Sequence, residues 1–460
     1  MNFLKNKGLY RELFKLALPI ALSSLVTFSV SFSDNMMISQ LGNEATSAVY
    51  LCNQFAFLLT MLVAGIEATV LILSSHSLGA DDKDRARNIA SLGLVSVFLI
   101  ASVFFVFSSF APKLVLSLFT NNETLIVSGE NFLRPLGVSF LFFALSQAIA
   151  ASLRSVKKAK LPFFASFFAL LLKIFLNVAL IFGKFGFEHY GILGAGIATL
   201  AARVTEFSIL FVYAFFIERE LKLRFSSFFK IKKDAFKNFF KTVAPIILTQ
   251  LVWSINNFFA SAVMGREDAE VVAGLSLAAA LYNLSYVVTN GMSGALGVLV
   301  GRMLGKADEA SVEKLRKDSG GIQIIFIFLG VLTAVFMQII KAPFISLWGI
   351  DASAEKWAHG LINVLSVMVI GTAYQSATLN GFIKASGDVR FVLKTEAFSV
   401  FCIIIPISLL ASNLGASPIA VFAVLKCDQL LKCPIAFFKL RKFNFKNYSR
   451  RVKIQTAHHN

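Results

Sequence analysis

One carboxylate, Asp34, stands inside an apolar stretch long enough to cross a bilayer, FKLALPIALSSLVTFSVSFSDNMMISQL, residues 14–41. A span takes about 20 mostly apolar residues, and an ionisable side chain within one is costly unless it is paired, wetted or protonated. At 1.5 Å per residue Asp34 lies roughly 12 Å in from Gly42, which weighs against a side chain that merely reaches the interface. Pro19 precedes it by fifteen residues in the same stretch. Glu67, Arg203 and Glu206 also fall in apolar stretches, roughly 20 to 25 Å from the outer ends by the same measure. Arg203 and Glu206 are three residues apart and can pair on one helix face. The three read either as a structural ion-pair cluster or, for Glu67, as part of an inward proton path. Lys426, Asp428 and Lys432 read as a locally satisfied charge group.

The elements that carry these residues follow from composition. The 460 residues are 57% hydrophobic and 15% charged, with a mean hydropathy of +0.73, which excludes a soluble globule of ordinary make-up. The chain reads as an all-α polytopic membrane protein. Twelve spans are expected near 13–40, 50–79, 88–110, 127–152, 161–183, 190–217, 238–264, 275–303, 320–347, 358–384, 391–412 and 415–438, each bounded by polar or turn-forming residues. The 49 Phe supply lipid-facing and cavity-lining bulk. Cys52, Cys402, Cys427 and Cys433 lie in apolar stretches without metal-ligand spacing and read as packing residues. The first apolar segment is too long, and lacks the small-residue site, for a cleaved signal peptide.

The net charge of +18 raises the question of a nucleic-acid partner, and the placement of the cations answers it. Most Lys and Arg fall in the segments 1–15, 80–88, 154–160, 217–241, 302–317, 384–394 and 439–453, whereas the intervening connections, such as TNNETL and GREDAE, are neutral or acidic. Alternation loop by loop is the positive-inside pattern; it places both termini in the cytoplasm and leaves no charge for nucleic acid to explain.

The chain also repeats. Residues 226 apart match: Phe14, Lys15, Pro19, Ile20, Leu22, Leu25 and Val26 fall on Phe240, Lys241, Pro245, Ile246, Leu248, Leu251 and Val252, and Gly65 falls on Gly291. Two halves of six spans each, 1–225 and 226–460, enter the membrane from the same side and form parallel repeats, an organisation found in secondary transporters. Asp34 falls on Ala260, so the acid belongs to the first half alone. Machinery for other functions is missing. The segment VGRMLGKA has Val300 where a phosphate loop needs Gly and Ala307 where it needs Ser or Thr; no dinucleotide fingerprint, HExxH or G-x-S-x-G elbow occurs. No enzyme and no cofactor is expected.

The stretches LALPIALSSLVTFSVSFSDNMMISQLG, SHSLGADDKDRAR, YGILGAGIATLAARV and VAPIILTQLVWSINNF, in this order and spacing, resemble those of the multidrug and toxic compound extrusion (MATE) family. The resemblance runs nearly end to end. It implies a V-shaped arrangement of two six-helix bundles in the inner membrane of a bacterium, a monomer, and a cation-coupled antiporter that exports amphiphilic, often cationic molecules. It implies that Asp34 carries the coupling proton or sodium ion and that Pro19 lets the first helix bend. The family's remaining ion-site positions correspond here to Lys173, Asn177 and Thr199. Lys173 departs from the Asn of the family pattern and Asn177 from its Asp, so protons are favoured over sodium. A Glu used by some members in the seventh span corresponds to Gln250, which cannot titrate; Gln250, Trp253 and Asn257 are expected in the substrate cavity. Two alternatives keep the fold: a flippase for lipid-linked saccharides, and a sodium-coupled exporter.

Overall fold

The computed structural model describes residues 7–223, 233–306, 308–346 and 351–442; the basic stretches 224–232 and 443–453, together with Ala307, lie outside the described residues. In the first half, helices run over α1 (Lys7–Ser39), α2 (Asn43–Gly79), α3 (Lys83–Phe110), the short α4 (Pro112–Ser117), α5 (Glu123–Ser155), α6 (Lys160–Phe182) and α7 (Gly191–Val212). The second half contains α8 (Lys233–Met264), α9 (Ala269–Gly305), α10 (Glu309–Ser346), α11 (Ala352–Gln375), α12 (Val389–Ala397), α13 (Ile405–Asn413), α14 (Pro418–Lys426) and α15 (Asp428–Arg441). Among the described residues, three π-helical segments, Tyr213–Ile217, Ser376–Lys384 and Phe398–Ile404, continue α7, α11 and α12. No strand occurs among the described residues. This is the expected all-helical membrane architecture.

Among the described residues, eleven helices are long and apolar enough to span a bilayer, and they correspond to the first eleven expected spans. The twelfth, expected over 415–438, is covered by α14 and α15, which meet at Cys427, where the backbone stays in the right-handed helical region. Lys426, Asp428 and Lys432 bring charge into this segment around the junction. Helix ends follow local chemistry. Asp82 caps α3 by accepting from the Arg85 N–H at 2.8 Å, and Asn122 caps α5 by accepting from the N–H groups of Thr124 and Leu125. Gly183, at φ +65°, ends α6 in the left-handed region that glycine tolerates.

Packing divides the chain into two units. The N-terminal unit holds Ser23–Leu78 and Asp82–Ile247; the C-terminal unit holds Met1–Leu22, Gly79–Asp81 and Leu248–Asn460. The first is built on buried Leu59, Val63, Ile66, Leu133, Ala144 and Phe140, the second on Leu281, Leu361, Ile362, Leu365 and Phe422. The partition differs from the expected 1–225 and 226–460 because α1 changes unit after Leu22 and α8 after Ile247. Close helix approaches repeat the offset seen in sequence. A Cβ on Gly65 would meet Ile247 Cγ1 at 2.6 Å, and one on Gly291 would meet the Ala21 nitrogen at 2.6 Å. Gly65 and Gly291 are 226 apart, as are Ala21 and Ile247, so both units use the same glycine to admit a neighbouring helix. Large apolar side chains remain on the surface, among them Phe110, Phe168, Phe216 and Phe328, the kind of surface that hydrocarbon solvates.

Beyond the end of α7 the chain is fastened by Glu218. Its buried carboxylate accepts from the backbone N–H groups of Glu220 (2.8 Å), Leu221 (2.6 Å) and Lys222 (3.3 Å), and from Lys158 Nζ at 3.0 Å. Burial opposes its charge, but the donors outweigh burial and hold its pKa below the usual carboxylate range. Burial likewise disfavours the Lys158 ammonium, and Glu218 more than compensates, so that the Lys158 pKa is raised. Arg87 Nε donates to the Leu221 carbonyl at 2.7 Å, tying the same turn to α3.

Candidate functional site

Asp34 projects from the part of α1 that belongs to the N-terminal unit, and Lys173 and Asn177 project from α6 of the same unit. Residues four apart share a helix face, so one face of α6 presents both an ammonium and an amide to the carboxylate. Lys173 Nζ donates to Asp34 Oδ2, and Asn177 Nδ2 donates to Asp34 Oδ1 at 2.9 Å. The side chains of Lys173 and Asp34 are 8% and 23% exposed, and Asn177 is buried. Two opposite unit charges thus cancel with no metal ion. Asn177 Oδ1 is buried and has no hydrogen-bond partner among the described residues, and a carboxylate accepting one bond on each oxygen retains lone pairs. Such a group can exchange a proton when the lysine moves away.

Thr199 lies in α7 and is buried, but its hydroxyl donates to the Ala195 carbonyl of its own helix at 2.9 Å rather than to Asp34. Pro19 sits in the continuous helix α1, three residues before the helix passes from one unit to the other. Proline lacks the N–H and crowds the carbonyl four residues back, so α1 is weakened there without being broken.

Glu67, Arg203 and Glu206 resolve into two separate ion pairs. Glu67 of α2 pairs with Arg154 of α5. Arg203 pairs with Glu206 at 2.9 Å along α7, as their spacing predicts, while Ser166 Oγ donates to Glu206 at 2.6 Å. The Arg203 guanidinium lies 4.6 Å from the centroid of the Phe143 ring. Arg154 sits at the end of a basic segment and reads as a loop cation; only the packing of α5 against its neighbours turns it inward. In the C-terminal unit, Gln250, Trp253 and Asn257 fall on one face of α8 at helical spacing. Trp253 is exposed, and Asn257 Oδ1 accepts from Lys426 Nζ at 3.4 Å. Lys432 joins Asp428 to Glu396, an acid to which nothing in its local sequence draws attention. No grouping of three His, Cys, Asp or Glu able to hold a metal occurs among the described residues.

Comparison with known proteins agrees with this architecture. The MatE family model matches twice, over residues 19–179 and 245–410. The chain belongs to the MATE family. The two matches begin at Pro19 and Pro245, the same offset of 226 that relates the halves. Among curated proteins, this MATE chain is 25% identical over 384 residues to a probable multidrug resistance protein NorM of Thermotoga maritima, covering 82% of this chain and 80% of that one. It is 24% identical over 404 residues to the uncharacterized transporter YisQ of Bacillus subtilis, covering 87% of each. Among solved structures, the eukaryotic MATE transporter AtDTX14 superposes with a TM-score of 0.85 at 19% identity, covering 98% of this chain and 99% of that chain. The Vibrio cholerae MATE transporter VcmN gives 0.83 at 18%, covering 96% and 99%. The family is one of multidrug efflux transporters, and the relatives are described as transporters and resistance proteins rather than enzymes.

Proposed function

We propose that this protein is a proton-driven antiporter that exports small amphiphilic, often cationic molecules across the inner membrane, with both termini in the cytoplasm. The observation that carries the reading is the Asp34 carboxylate held between Lys173 and Asn177 inside the N-terminal unit. Lys173 takes the place that a sodium ion would need, so the carboxylate is neutralised by the protein itself. A proton arriving from outside can bind Asp34 only as Lys173 withdraws. Straightening or bending of α1 around the weak point at Pro19 supplies a movement that separates them. For a proton to drive export, it must bind one conformation of the protein better than the other; an ammonium that is engaged in one state and withdrawn in the other provides that difference.

The test is dye efflux by the purified protein in liposomes, with a proton gradient and a sodium gradient imposed separately. Efflux should follow the proton gradient, ignore sodium, and vanish in Asp34→Asn protein that remains folded in the bilayer. A requirement for a sodium gradient at constant pH overturns the role given to Lys173, and undiminished efflux by Asp34→Asn overturns the role given to Asp34.

A further inference from the structure

The C-terminal unit has no acid at the position matching Asp34, yet it buries a charge cluster of its own. Lys432 of α15, 1% exposed, places its Nζ 2.7 Å from Asp428 Oδ2 and 3.0 and 2.9 Å from the two oxygens of Glu396. Asp428 is 0% exposed and Glu396 7%. Two carboxylates therefore share one ammonium, and the groups in direct ion-pair contact carry one more negative than positive charge. Asp428 Oδ2 also accepts from Gln429 Nε2 at 2.7 Å, but Asp428 Oδ1 is buried and has no hydrogen-bond partner among the described residues. A bare carboxylate oxygen away from water is costly, and a proton on it removes the excess charge.

Among the described residues, Lys432 is the cation that forms ion pairs with the cluster's carboxylates. From α9 come Tyr282 and Tyr286, their rings stacked at 6.0 Å. From α11 come the neutral Thr372 and Gln375, which bond Gln429, and the Tyr282 hydroxyl lies 3.1 Å from Thr372 Oγ1. From α12 comes Glu396 itself. Lys426 of α14 directs its Nζ to Asn257 and forms no ion pair among the described residues. Cys427 and Cys433 flank Asp428 and Lys432 and supply no charge in their thiol form.

The surrounding backbone sets the cluster apart from ordinary helix packing. Gln375 directly precedes the π-helical Ser376–Lys384, and Glu396 stands two residues before the π-helical Phe398–Ile404. The Ser376 carbonyl takes an outside donor, Ser293 Oγ of α9, at 2.7 Å. Wide turns of this kind interrupt the ordinary hydrogen-bond ladder and collect at functional sites. Here one of them follows Glu396 and the other follows Gln375, which bonds the neighbour of Asp428, Gln429.

We infer that Glu396, Lys432 and Asp428 form a second proton-binding site, in which one proton taken from water converts one of the two carboxylates to a carboxyl and leaves a neutral group with the lysine ammonium. The site has its own residues in its own unit and does not depend on Asp34 carrying the coupling proton. Two interacting carboxylates titrate as a pair, so the proton belongs to the cluster rather than to one acid. Removal of either acid leaves a one-to-one ion pair that has no need of it.

Infrared difference spectroscopy of the full-length protein in lipid nanodiscs tests the assignment, because the carbonyl stretch of a buried protonated carboxyl separates from that of carboxylates and amides. In the Asp34→Asn protein, a pH step should still reveal a titrating buried carboxyl band. That band should be lost when Asp428→Asn is added, and equally lost when Glu396→Gln is added instead. Glu396→Gln retains the Lys432–Asp428 pair and decides the matter by itself if Asp428→Asn cannot be recovered folded. Absence of a titrating band in Asp34→Asn, or its persistence in the folded Glu396→Gln derivative, overturns the inference. Failure of Asp34→Asn to abolish efflux would count against the proposed function and leave this spectroscopic result unaffected.

Discussion

Replacing Lys173 by Met removes the ammonium on Asp34 while keeping an unbranched side chain of similar reach. Breaking a buried ion pair by removing one partner costs about 3–5 kcal/mol, since the other charge is stranded. Asp34 keeps the Asn177 bond at 2.9 Å and is 23% exposed. Both soften the loss, so Lys173→Met should destabilise by about 2–3 kcal/mol. Asp34→Asn strands an ammonium that is only 8% exposed, and should cost about 3–5 kcal/mol. The double variant buries neither charge and should cost less than the two single losses combined, by at least about 2 kcal/mol, roughly a thirtyfold factor in the unfolding equilibrium. Equilibrium unfolding in mixed micelles at neutral pH, followed by circular dichroism, measures all four corners of this cycle. Additivity to within about 0.5 kcal/mol would mean that the two residues are energetically independent, and both the pairing and the coupling role built on it would fall. The double variant should fold and yet fail to move a dye, separating the pair's part in stability from its part in transport.

Glu218 predicts a pH effect outside the membrane. Its lowered pKa adds stability that is present above the ordinary carboxylate range and is lost as pH falls through the lowered value; the raised Lys158 pKa adds stability present below the ordinary lysine value and lost as pH rises through the raised one. Glu218→Gln should therefore flatten the acid limb of the stability profile, and Glu218→Ala, which orphans three backbone N–H groups, should speed amide exchange at Glu220 and Leu221 with a loss of about 1–2 kcal/mol. A Cβ at Gly291 meets the Ala21 backbone, whereas one at Gly297 meets nothing within 4 Å. Gly291→Ala should cost about 1–3 kcal/mol by forcing helices apart, and Gly297→Ala should be neutral or stabilising by up to about 1 kcal/mol; equal thermal shifts in detergent would contradict the close approach. Cysteines introduced at Asn121 and Glu188 should label with impermeant reagent from outside and one at Lys314 only from the cytoplasm, and reversed labelling of either half would defeat the parallel-repeat topology.

The sequence by itself determined that the chain is a bundle of membrane helices, because burial of backbone polar groups in hydrocarbon leaves few other structures available and apolar length is visible residue by residue. It also determined the repeat, since Pro19 and Pro245 or Gly65 and Gly291 mark equivalent positions without reference to any contact. It singled out Asp34, as one charge in an apolar stretch is conspicuous wherever its partner lies. Which partner it has was decided by tertiary structure. Lys173 stands 139 residues from Asp34, Arg154 stands 87 from Glu67, and Lys432 stands 36 from Glu396. Arg203 and Glu206, three apart, needed only the helix. Thr199 shows the same division from the other side: the family resemblance put it in the ion site, while its hydroxyl bonds the carbonyl of Ala195 one turn back on its own helix. Membrane helices are apolar on nearly every side, so the pattern along one helix says little about its rotation. That rotation is set by ridges, small residues and polar partners supplied by all its neighbours together, and it is the rotation that turns a charge in a span into a pair.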